Sequence, residues 1–356
     1  MKLKQWMVAA LVATAPWPAL AQVPADIGQR LAEGYARPAT VALANQAAGL
    51  ETALKTWCDA KGRGDANAVR EAFAGTVKAW AAVAFLRFGP LVQSNRYEKL
   101  AFWPDTRGVM PRQVRTLLAA EDPALLAPGA LASRSVATQG LPALEFVLYD
   151  SPGLIKSPEG EFNGYACAYA VAVAANVSTV AGELRQAWSA QGDFGKQFVA
   201  PGAHSDLYRN KQEVAAEAIK ALSTGLQSAR DIKLMPMLGA SPQQTRESRG
   251  AFSRSGLTVP ALAAGVKGLH DFYSAAAFQY PDEEAWIGPA VGGELARGAQ
   301  ALDKIDAPLA TVLDSENGWR QLSLAGLILK NAKDIVDQNL APALGITIGF
   351  NALDGD

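Results

Sequence analysis

Apolar residues recur at spacings of three and four over much of the chain, which is the period of an amphipathic helix. Two neighbouring stretches show it most clearly, and their apolar positions are Leu43, Ala47, Leu50, Leu54, Trp57 and Cys58 in the first and Val69, Phe73, Val77, Trp80, Ala84 and Phe88 in the second. Gly62 and Gly64 mark a turn between them, Asp65 can cap the second helix, and Gly89 with Pro90 ends it. The pattern therefore predicts an αα-hairpin.

The same period returns in five later stretches, at residues 164–188, 213–232, 258–279, 284–304 and 316–340. The first of these is rich in alanine, so its small side chains would let a neighbouring helix approach closely. Strand-like alternation is convincing only at residues 345–351, and that stretch is too short to form a sheet. The sequence thus predicts an all-α fold built from helical bundles.

The helical period fails at residues 189–206, where glycine and polar residues collect. This favours a boundary near residue 200, with one helical bundle over residues 22–200 and a second over residues 201–356. A second irregular segment, residues 235–256, carries four arginine or glutamate side chains. A loop of this length is uncommon unless it has a function, and we expect it to pack as an ordered loop rather than as a linker.

The N-terminus indicates export. Lys2 and Lys4 precede a short apolar stretch, and Ala19-Leu20-Ala21 then offers a cleavage site before Gln22, as in a secretory signal peptide. An uncleaved membrane anchor is the alternative, but the stretch is short for a span of roughly 20 residues and contains two prolines. We expect residues 1–21 to be removed and the mature chain, which has no lipid-attachment cysteine or transmembrane anchor, to be soluble in the periplasm.

The charge content limits the kinds of partner that the chain can bind, and the cysteine content limits the disulfides that it can form. The 356 residues include 33 Lys plus Arg and 34 Asp plus Glu, and no basic run supplies the electrostatic footprint of a nucleic-acid-binding protein. Only two cysteines are present, Cys58 and Cys167. In an exported chain an even number favours a disulfide between them, and two buried free thiols are the alternative.

Several catalytic and cofactor motifs are absent from the sequence. His204 and His270 are the only histidines, so the chain has neither an H-E-x-x-H motif nor a three-histidine zinc site. It also lacks the nucleophile elbow of hydrolases, the P-loop and the dinucleotide-binding glycine motif. The common hydrolase and nucleotide-binding functions are therefore not indicated.

Glu145 is a carboxylate inside an otherwise apolar run, QGLPALEFVLYD, residues 139–150. Pro142 suits the first turn of a helix, where its missing N–H is not needed, and Glu145 then lies near the positive end of the helix dipole. Either Glu145 merely stabilises the helix start, or it points into the protein, where a buried charge needs a partner.

A candidate partner lies in FWPDTRG, residues 102–108, which brings Trp103, Asp105 and Arg107 within five residues. Such a cluster can bind an anionic or carboxylate-bearing group, since arginine pairs with planar oxygen acceptors through two hydrogen bonds. The alternative is structural, in which Asp105 forms a turn and Arg107 holds a buried carboxylate such as Glu145.

Five segments together resemble the imelysin family of exported bacterial proteins, namely RFGPL (87–91), FWPDTRG (102–108), QGLPALEFVLYD (139–150), CAYAVAVAANV (167–177) and GITIGFNALDGD (345–356). The resemblance spans essentially the whole mature chain. It implies two all-α domains of helical bundles, a G-x-H-x-x-E motif near the domain interface, an association with iron uptake, and a peptidase label.

In this chain the motif's glycine corresponds to Gly140 and its glutamate to Glu145, while its histidine position holds Pro142. Residues three apart share a helix face, so histidine and glutamate there would hold one metal ion together, whereas proline offers no ligand. This departure weakens the peptidase hypothesis. The candidate ligand-binding residues are Glu145, Gly140, Trp103, Asp105 and Arg107.

Two functions stay open. The chain is either a periplasmic binding or accessory protein of an iron-uptake pathway, with its ligand or metal in a cleft between the bundles, or a metallopeptidase without histidine ligands. The first function would make envelope components of that pathway its partners. Glu145 and Asp105 are the candidate oxygen ligands for iron or another hard cation, and whether the chain is an enzyme is left open.

Overall fold

The computed structural model describes residues 21–150, 153–155 and 162–349. The predicted signal peptide lies outside these ranges except for Ala21. Gln22, the predicted first residue of the mature chain, forms an antiparallel bridge with Gln279, in which the Gln22 N–H donates to the Gln279 carbonyl at 2.8 Å.

The described residues form helices and no strand beyond that bridge, and residues 345–349 are irregular, so the all-α prediction is confirmed. The α-helices of the first half are α1 (Ile27–Leu31), α2 (Arg37–Asp59), α3 (Ala66–Val83), α4 (Arg96–Leu100), α5 (Val109–Ala120), α6 (Gly140–Tyr149), α7 (Gly164–Trp188) and α8 (Asp193–Val199). Those of the second half are α9 (Lys211–Gln227), α10 (Met235–Leu238), α11 (Thr258–Ala276), α12 (Ile287–Asp303), α13 (Leu309–Asp314), α14 (Glu316–Ile335) and α15 (Ala341–Ala343). Three π-helical segments extend or join them, at Ala32–Ala36, Ser228–Leu234 and Val336–Leu340.

Helices α2 and α3 form the predicted hairpin. The Asp65 side chain accepts a hydrogen bond from the Asn67 N–H at 2.8 Å and so caps α3, as expected. Helix α3 ends at Val83, about one turn before the predicted end near Phe88. The chain leaves the helix there because Phe88 packs into an aromatic cluster with Trp188 and Phe198, with ring centroids 5.9 Å apart in both pairs.

Helix α7 covers the predicted 25 residues and packs along α2. Its buried alanines, including Ala166, Ala170 and Ala174, allow this close approach. The predicted disulfide is confirmed, because Cys58 near the end of α2 is bonded to Cys167 in α7, with 5.8 Å between their Cα atoms. Within the described residues, only the stretch Gly164–Val199 is long and apolar enough to span a membrane, and 56% of its apolar window is buried in the fold.

The second half packs α11 against α12, and α12 against α14. Helix α11 also packs against α3 from the first half, and the buried apolar side chains form one continuous core over both halves. This contact positions the candidate site. The division into two domains near residue 200 stays a prediction.

The irregular segment at residues 235–256 is ordered as a series of short helical turns, as expected. It begins with α10 and leads directly into α11. Its last residues, Phe252 to Ser255, return to the first half of the fold and meet α6, where Ser255 contacts Glu145.

Candidate functional site

Helix α6 is buried along its whole length, from Gly140 to Tyr149. Its start is held by Gln139, whose side chain is fully buried. The Gln139 amide donates to the carbonyl oxygens of Leu131 and Arg134 at 3.0 and 2.9 Å, and its Oε1 accepts a hydrogen bond from the Asn176 amide at 2.7 Å. Pro142 is the third residue of the helix, in the first turn as predicted.

Gly140 has a structural reason to be glycine. Its φ angle is +82°, a conformation that side chains with a Cβ rarely adopt, and a Cβ built there would lie 2.5 Å from the Lys99 carbonyl oxygen. The residue thus lets the start of α6 pack against the end of α4. It is not among the residues around the pocket described below, so its predicted ligand-binding role stays a prediction without support from these contacts.

Glu145 is the only charged side chain on α6, and it is 2% exposed. Its Oε1 accepts two hydrogen bonds from Ser255, one from the backbone N–H at 2.9 Å and one from the hydroxyl at 2.7 Å. Burial raises the pKa of the Glu145 carboxyl, and the Ser255 hydrogen bonds and the nearby Arg254 charge act in the opposite direction. The carboxyl is therefore held in the fold by donors 110 residues away in the sequence.

Arg254 is the cation nearest to Glu145, but it is paired elsewhere. Its Nε donates to the Asp150 Oδ1 at 3.1 Å, and its guanidinium lies 5.3 Å from the centroid of the Phe146 ring. Asp150 also forms an ion pair with Arg115, in which the Arg115 Nη2 lies 3.2 Å from the Asp150 Oδ2. Most of the Arg254 charge is thus balanced by Asp150 rather than by Glu145.

Glu145 lies in the wall of a small pocket that we call the Glu145 pocket. The residues that line it come from α3, α4, α5, α6, α11 and the segments between helices, and they include Trp80, Tyr97, Trp103, Glu145, Lys233, Arg254 and Thr258. The cavity volume is about 40 Å³, and a single water molecule needs about 10–15 Å³ by the same measure. The pocket can therefore hold a few waters or a group of a few heavy atoms.

The FWPDTRG segment does not act as one cluster. Trp103 lines the pocket, whereas Asp105 and Arg107 do not, and a ligand-binding role for Trp103 stays a prediction. Asp105 stabilises the start of α5, because its two carboxylate oxygens accept hydrogen bonds from the N–H groups of Val109 and Met110 at 2.9 and 2.8 Å. A ligand-binding role for Asp105 or Arg107 stays a prediction without support from these contacts.

The hypothesis that Arg107 holds Glu145 is wrong. Arg107 is exposed, whereas Glu145 is buried and takes its hydrogen bonds from Ser255. In the turn before α5, the Asp105 carboxylate accepts hydrogen bonds from the first N–H groups of the helix. The same turn leaves the Arg107 side chain exposed to solvent.

The side chains that could act as metal ligands in the described residues are not arranged to bind a metal ion. Among residues 21–150, 153–155 and 162–349, no three His, Cys, Asp or Glu side chains lie close enough to hold one together. Glu145 Oε1 already accepts two hydrogen bonds, and both Asp105 oxygens bind helix N–H groups. The predicted iron or hard-cation site at Glu145 and Asp105 therefore has no support in this arrangement.

The family model Peptidase_M75: Imelysin matches residues 36–325, which is most of the chain. The chain belongs to the imelysin family. Its fold is similar to the crystal structure of an imelysin-like protein from Psychrobacter arcticum 273-4, with a TM-score of 0.72 and 19% identity over 93% of this chain and 100% of that one. It is also similar to a proposed iron-regulated protein A precursor from Parabacteroides distasonis ATCC 8503, with a TM-score of 0.68 and 10% identity over 88% and 95% of the two chains.

No curated protein matches the chain. At these identities the two solved imelysin-like structures show a shared fold alone. The interpretation that Pro142 stands where the family motif has histidine stays a prediction.

Sequence reasoning missed most of the pocket. Ser255 and Arg254 lie in the irregular segment that was predicted to have a function, but nothing in its sequence pointed to Glu145. Lys233 had one usable signal, because it is a charge between the apolar residues Ile232 and Leu234, just as Glu145 is a charge within an apolar run.

Proposed function

We propose that this imelysin-family protein is an exported binding protein of the cell envelope, linked to iron uptake, and that its ligand occupies the Glu145 pocket. The observation that carries the proposal is the pocket wall itself. A carboxyl on a fully buried helix, two hydrogen bonds from a distant loop and the rings of Trp80, Tyr97 and Trp103 meet at one small cavity. Concave sites with aromatic walls and a few fixed polar groups are typical of ligand binding.

The alternative is the metallopeptidase that the family label suggests. Catalytic zinc sites use three protein ligands and leave one position open for water. Here Glu145 is engaged by Ser255, and the residue three positions earlier is Pro142, which has no ligand atom. The geometry therefore favours a binding function over zinc hydrolysis.

Incubation with unfolded protein substrates, with and without a chelator, separates the two functions. We expect no chelator-sensitive cleavage. Cleavage that the chelator and Glu145→Gln both abolish would establish the peptidase instead.

Export and the link to iron rest on three supports of different kinds. The N-terminal sequence has the pattern of a signal peptide. The Cys58–Cys167 disulfide is typical of an oxidising compartment such as the periplasm. The similar structure from Parabacteroides distasonis is named as an iron-regulated precursor.

Growth of the source bacterium under iron limitation tests the proposal. A deletion strain should grow more slowly than wild type only when iron is scarce, and the wild-type gene should restore growth. Trp103→Ala removes one pocket wall and should fail to restore it. Trp286→Ala is the matched control, because Trp286 is 51% exposed and lies away from the pocket. Equal growth of all strains in scarce iron would refute the iron link.

A further inference from the structure

Two positively charged side chains without an ion-pair partner among the described residues lie at the Glu145 pocket or beside it, in addition to Arg254, which lines the pocket and is paired with Asp150. Lys233 lines this pocket and, together with Arg87, a second cavity beside it. The Arg87 guanidinium lies 4.2 Å from the centroid of the Tyr97 ring. Within the part of the chain that the structure describes, neither side chain forms a hydrogen bond or an ion pair with a carboxylate. Half-buried cations are normally paired.

The charged form of Lys233 is disfavoured in the folded protein. Burial, and then the neighbouring Arg87 charge, lower the pKa of Lys233 to about 8. Glu145 does not relieve it, because Glu145 forms its hydrogen bonds with Ser255 and burial raises the pKa of its carboxyl. Lys233 thus has no carboxylate partner among the described residues, although Glu145 lines the same pocket.

Two unpartnered donors line the same pocket. Thr258 is 4% exposed, and its hydroxyl has no hydrogen-bond partner among the described residues. The indole N–H of Trp103 is also buried without a partner there. Most buried polar groups in proteins are hydrogen-bonded, so two unpartnered donors at one pocket call for an acceptor.

The backbone that carries Lys233 is unusual as well. Lys233 lies in the π-helical segment Ser228–Leu234, which continues α9 toward α10. Such π-helical turns occur frequently at functional sites. This feature is independent of the charges and the unpartnered donors.

We propose that the Glu145 pocket binds the oxyanion group of a small ligand, a carboxylate or a phosphate, next to Lys233 and Arg87, with hydrogen bonds from Thr258 and Trp103. This proposal rests on the proposed function, because the ligand occupies the same pocket. The cavity of about 40 Å³ suits the oxyanion group, and the rings of Trp80 and Tyr97 suit an apolar body attached to it. Iron would then arrive as an anionic chelate rather than as a bare cation.

Isothermal titration calorimetry on the mature chain, from Gln22, tests the proposal. The probes are benzoate, inorganic phosphate, citrate and ferric citrate, with benzamide as the uncharged match for benzoate. We expect at least one anion to bind, benzoate to bind at least tenfold more tightly than benzamide if it is that anion, and Lys233→Met and Arg87→Met each to weaken binding at least tenfold. Comparing the affinity for phosphate with the affinities for benzoate and citrate distinguishes a phosphate ligand from a carboxylate ligand.

The matched control is Lys330→Met, since Lys330 is 52% exposed and paired with Asp334. It should leave binding within twofold. Lys233→Met and Arg87→Met remove unpaired charges but keep most of the side-chain volume, so both variants should fold, and a thermal melt checks this.

Measurable binding of benzoate and benzamide with equal affinity, or unchanged binding of the bound anion in Lys233→Met, would overturn the oxyanion proposal. If no anion binds while benzamide changes the tryptophan fluorescence of the wild type but not of Trp103→Ala, the oxyanion proposal fails and the binding function stands. If no probe binds and Trp103→Ala restores growth in scarce iron, the binding function itself fails.

Discussion

Glu145 and Lys233 are two charged side chains in the wall of the same pocket, and the fold treats them in opposite ways. Glu145 receives two hydrogen bonds from Ser255 and lies near Arg254. Lys233 has no carboxylate partner among the described residues, and the neighbouring charge that lowers its pKa, that of Arg87, is also positive. Hydrogen bonds from the chain itself hold the Glu145 carboxyl in place, whereas no carboxylate among the described residues holds Lys233, so the lysine is available to a ligand.

This comparison changes the role that the sequence suggested for Glu145. The sequence marks Glu145 as a candidate ligand-binding and metal-binding residue in a cleft between the bundles. The structure buries it to 2% exposure and supplies its partners from the chain itself. Glu145 is a structural residue of the pocket wall, because Ser255 holds its carboxyl in place. Lys233 is a charged residue of the same wall that has no carboxylate partner among the described residues.

The largest expected effect is the loss of stability in Glu145→Ala. The substitution leaves a cavity and strands the partly buried Ser255 N–H, while the Ser255 hydroxyl keeps the Phe252 carbonyl as an acceptor at 3.1 Å. We therefore expect the free energy of unfolding to fall by about 3 kcal/mol. Urea denaturation monitored by circular dichroism measures it. Glu183→Ala is the control, because Glu183 is 47% exposed in its pair with Arg96 and should cost under about 1 kcal/mol. Equal losses in the two variants would mean that Glu145 is not scaffold.

Ser255→Ala should give the next largest effect. It removes the hydroxyl that donates to Glu145 but keeps the backbone N–H. Hydrogen bonds to charged groups are worth about 1.5–3 kcal/mol, so we expect a loss near the lower end of that range. Denaturation of the Glu145→Gln, Ser255→Ala and double variants completes a cycle. A coupling energy near zero would show that Ser255 does not stabilise the Glu145 carboxyl.

The helices were predictable from sequence because their information is local. The spacing of apolar residues located α7 at its observed ends and gave the hairpin of α2 and α3, with Asp65 as its cap. Even so, α3 ends earlier than its pattern predicts, because burial of Phe88 among distant aromatic rings outweighs the helical period.

The site was only partly predictable because its contacts are not local. Glu145 and Trp103 were identified from their sequence surroundings, and the structure brings both to the pocket. Ser255 approaches Glu145 only through the packing of the second half on the first. Arg107 and Trp103 lie four residues apart, yet Arg107 is exposed to solvent and Trp103 lines the pocket. Residue spacing in a turn does not predict which side chain faces inward.

A smaller effect concerns the pH dependence of Glu145. Its pKa in the folded protein is raised above the usual 4.5, so the folded state binds its proton more readily than the unfolded state. The resulting stability is complete below about pH 4.5 and is lost as pH rises through the raised pKa. Glu145→Gln lacks this dependence, so it should gain stability relative to wild type as the pH is raised from about 4.5 through the raised pKa. Thermal melts across this pH range measure the difference. A constant difference would show that burial leaves the Glu145 pKa unshifted.

The smallest expected effect has the opposite sign to most substitutions, because Lys233→Met should stabilise the free protein. Removing this cation and keeping an apolar side chain of similar length relieves the cost of burying the charge and its repulsion by Arg87. Because Lys233 is only half-buried, solvent screens much of that cost, and we expect a gain of up to about 1 kcal/mol. The pKa of Lys233 is lowered to about 8 from its usual 10.5, so the cost is complete below about pH 8 and disappears as pH rises toward 10.5. The advantage of Lys233→Met over wild type in a thermal melt should therefore be present at pH 7 and shrink above pH 8. Lys330→Met, which breaks an exposed pair with Asp334, should show no such trend. If Lys233→Met instead destabilises the protein at pH 7, Lys233 is already compensated, and the contrast with Glu145 that assigns the ligand to the lysine is lost.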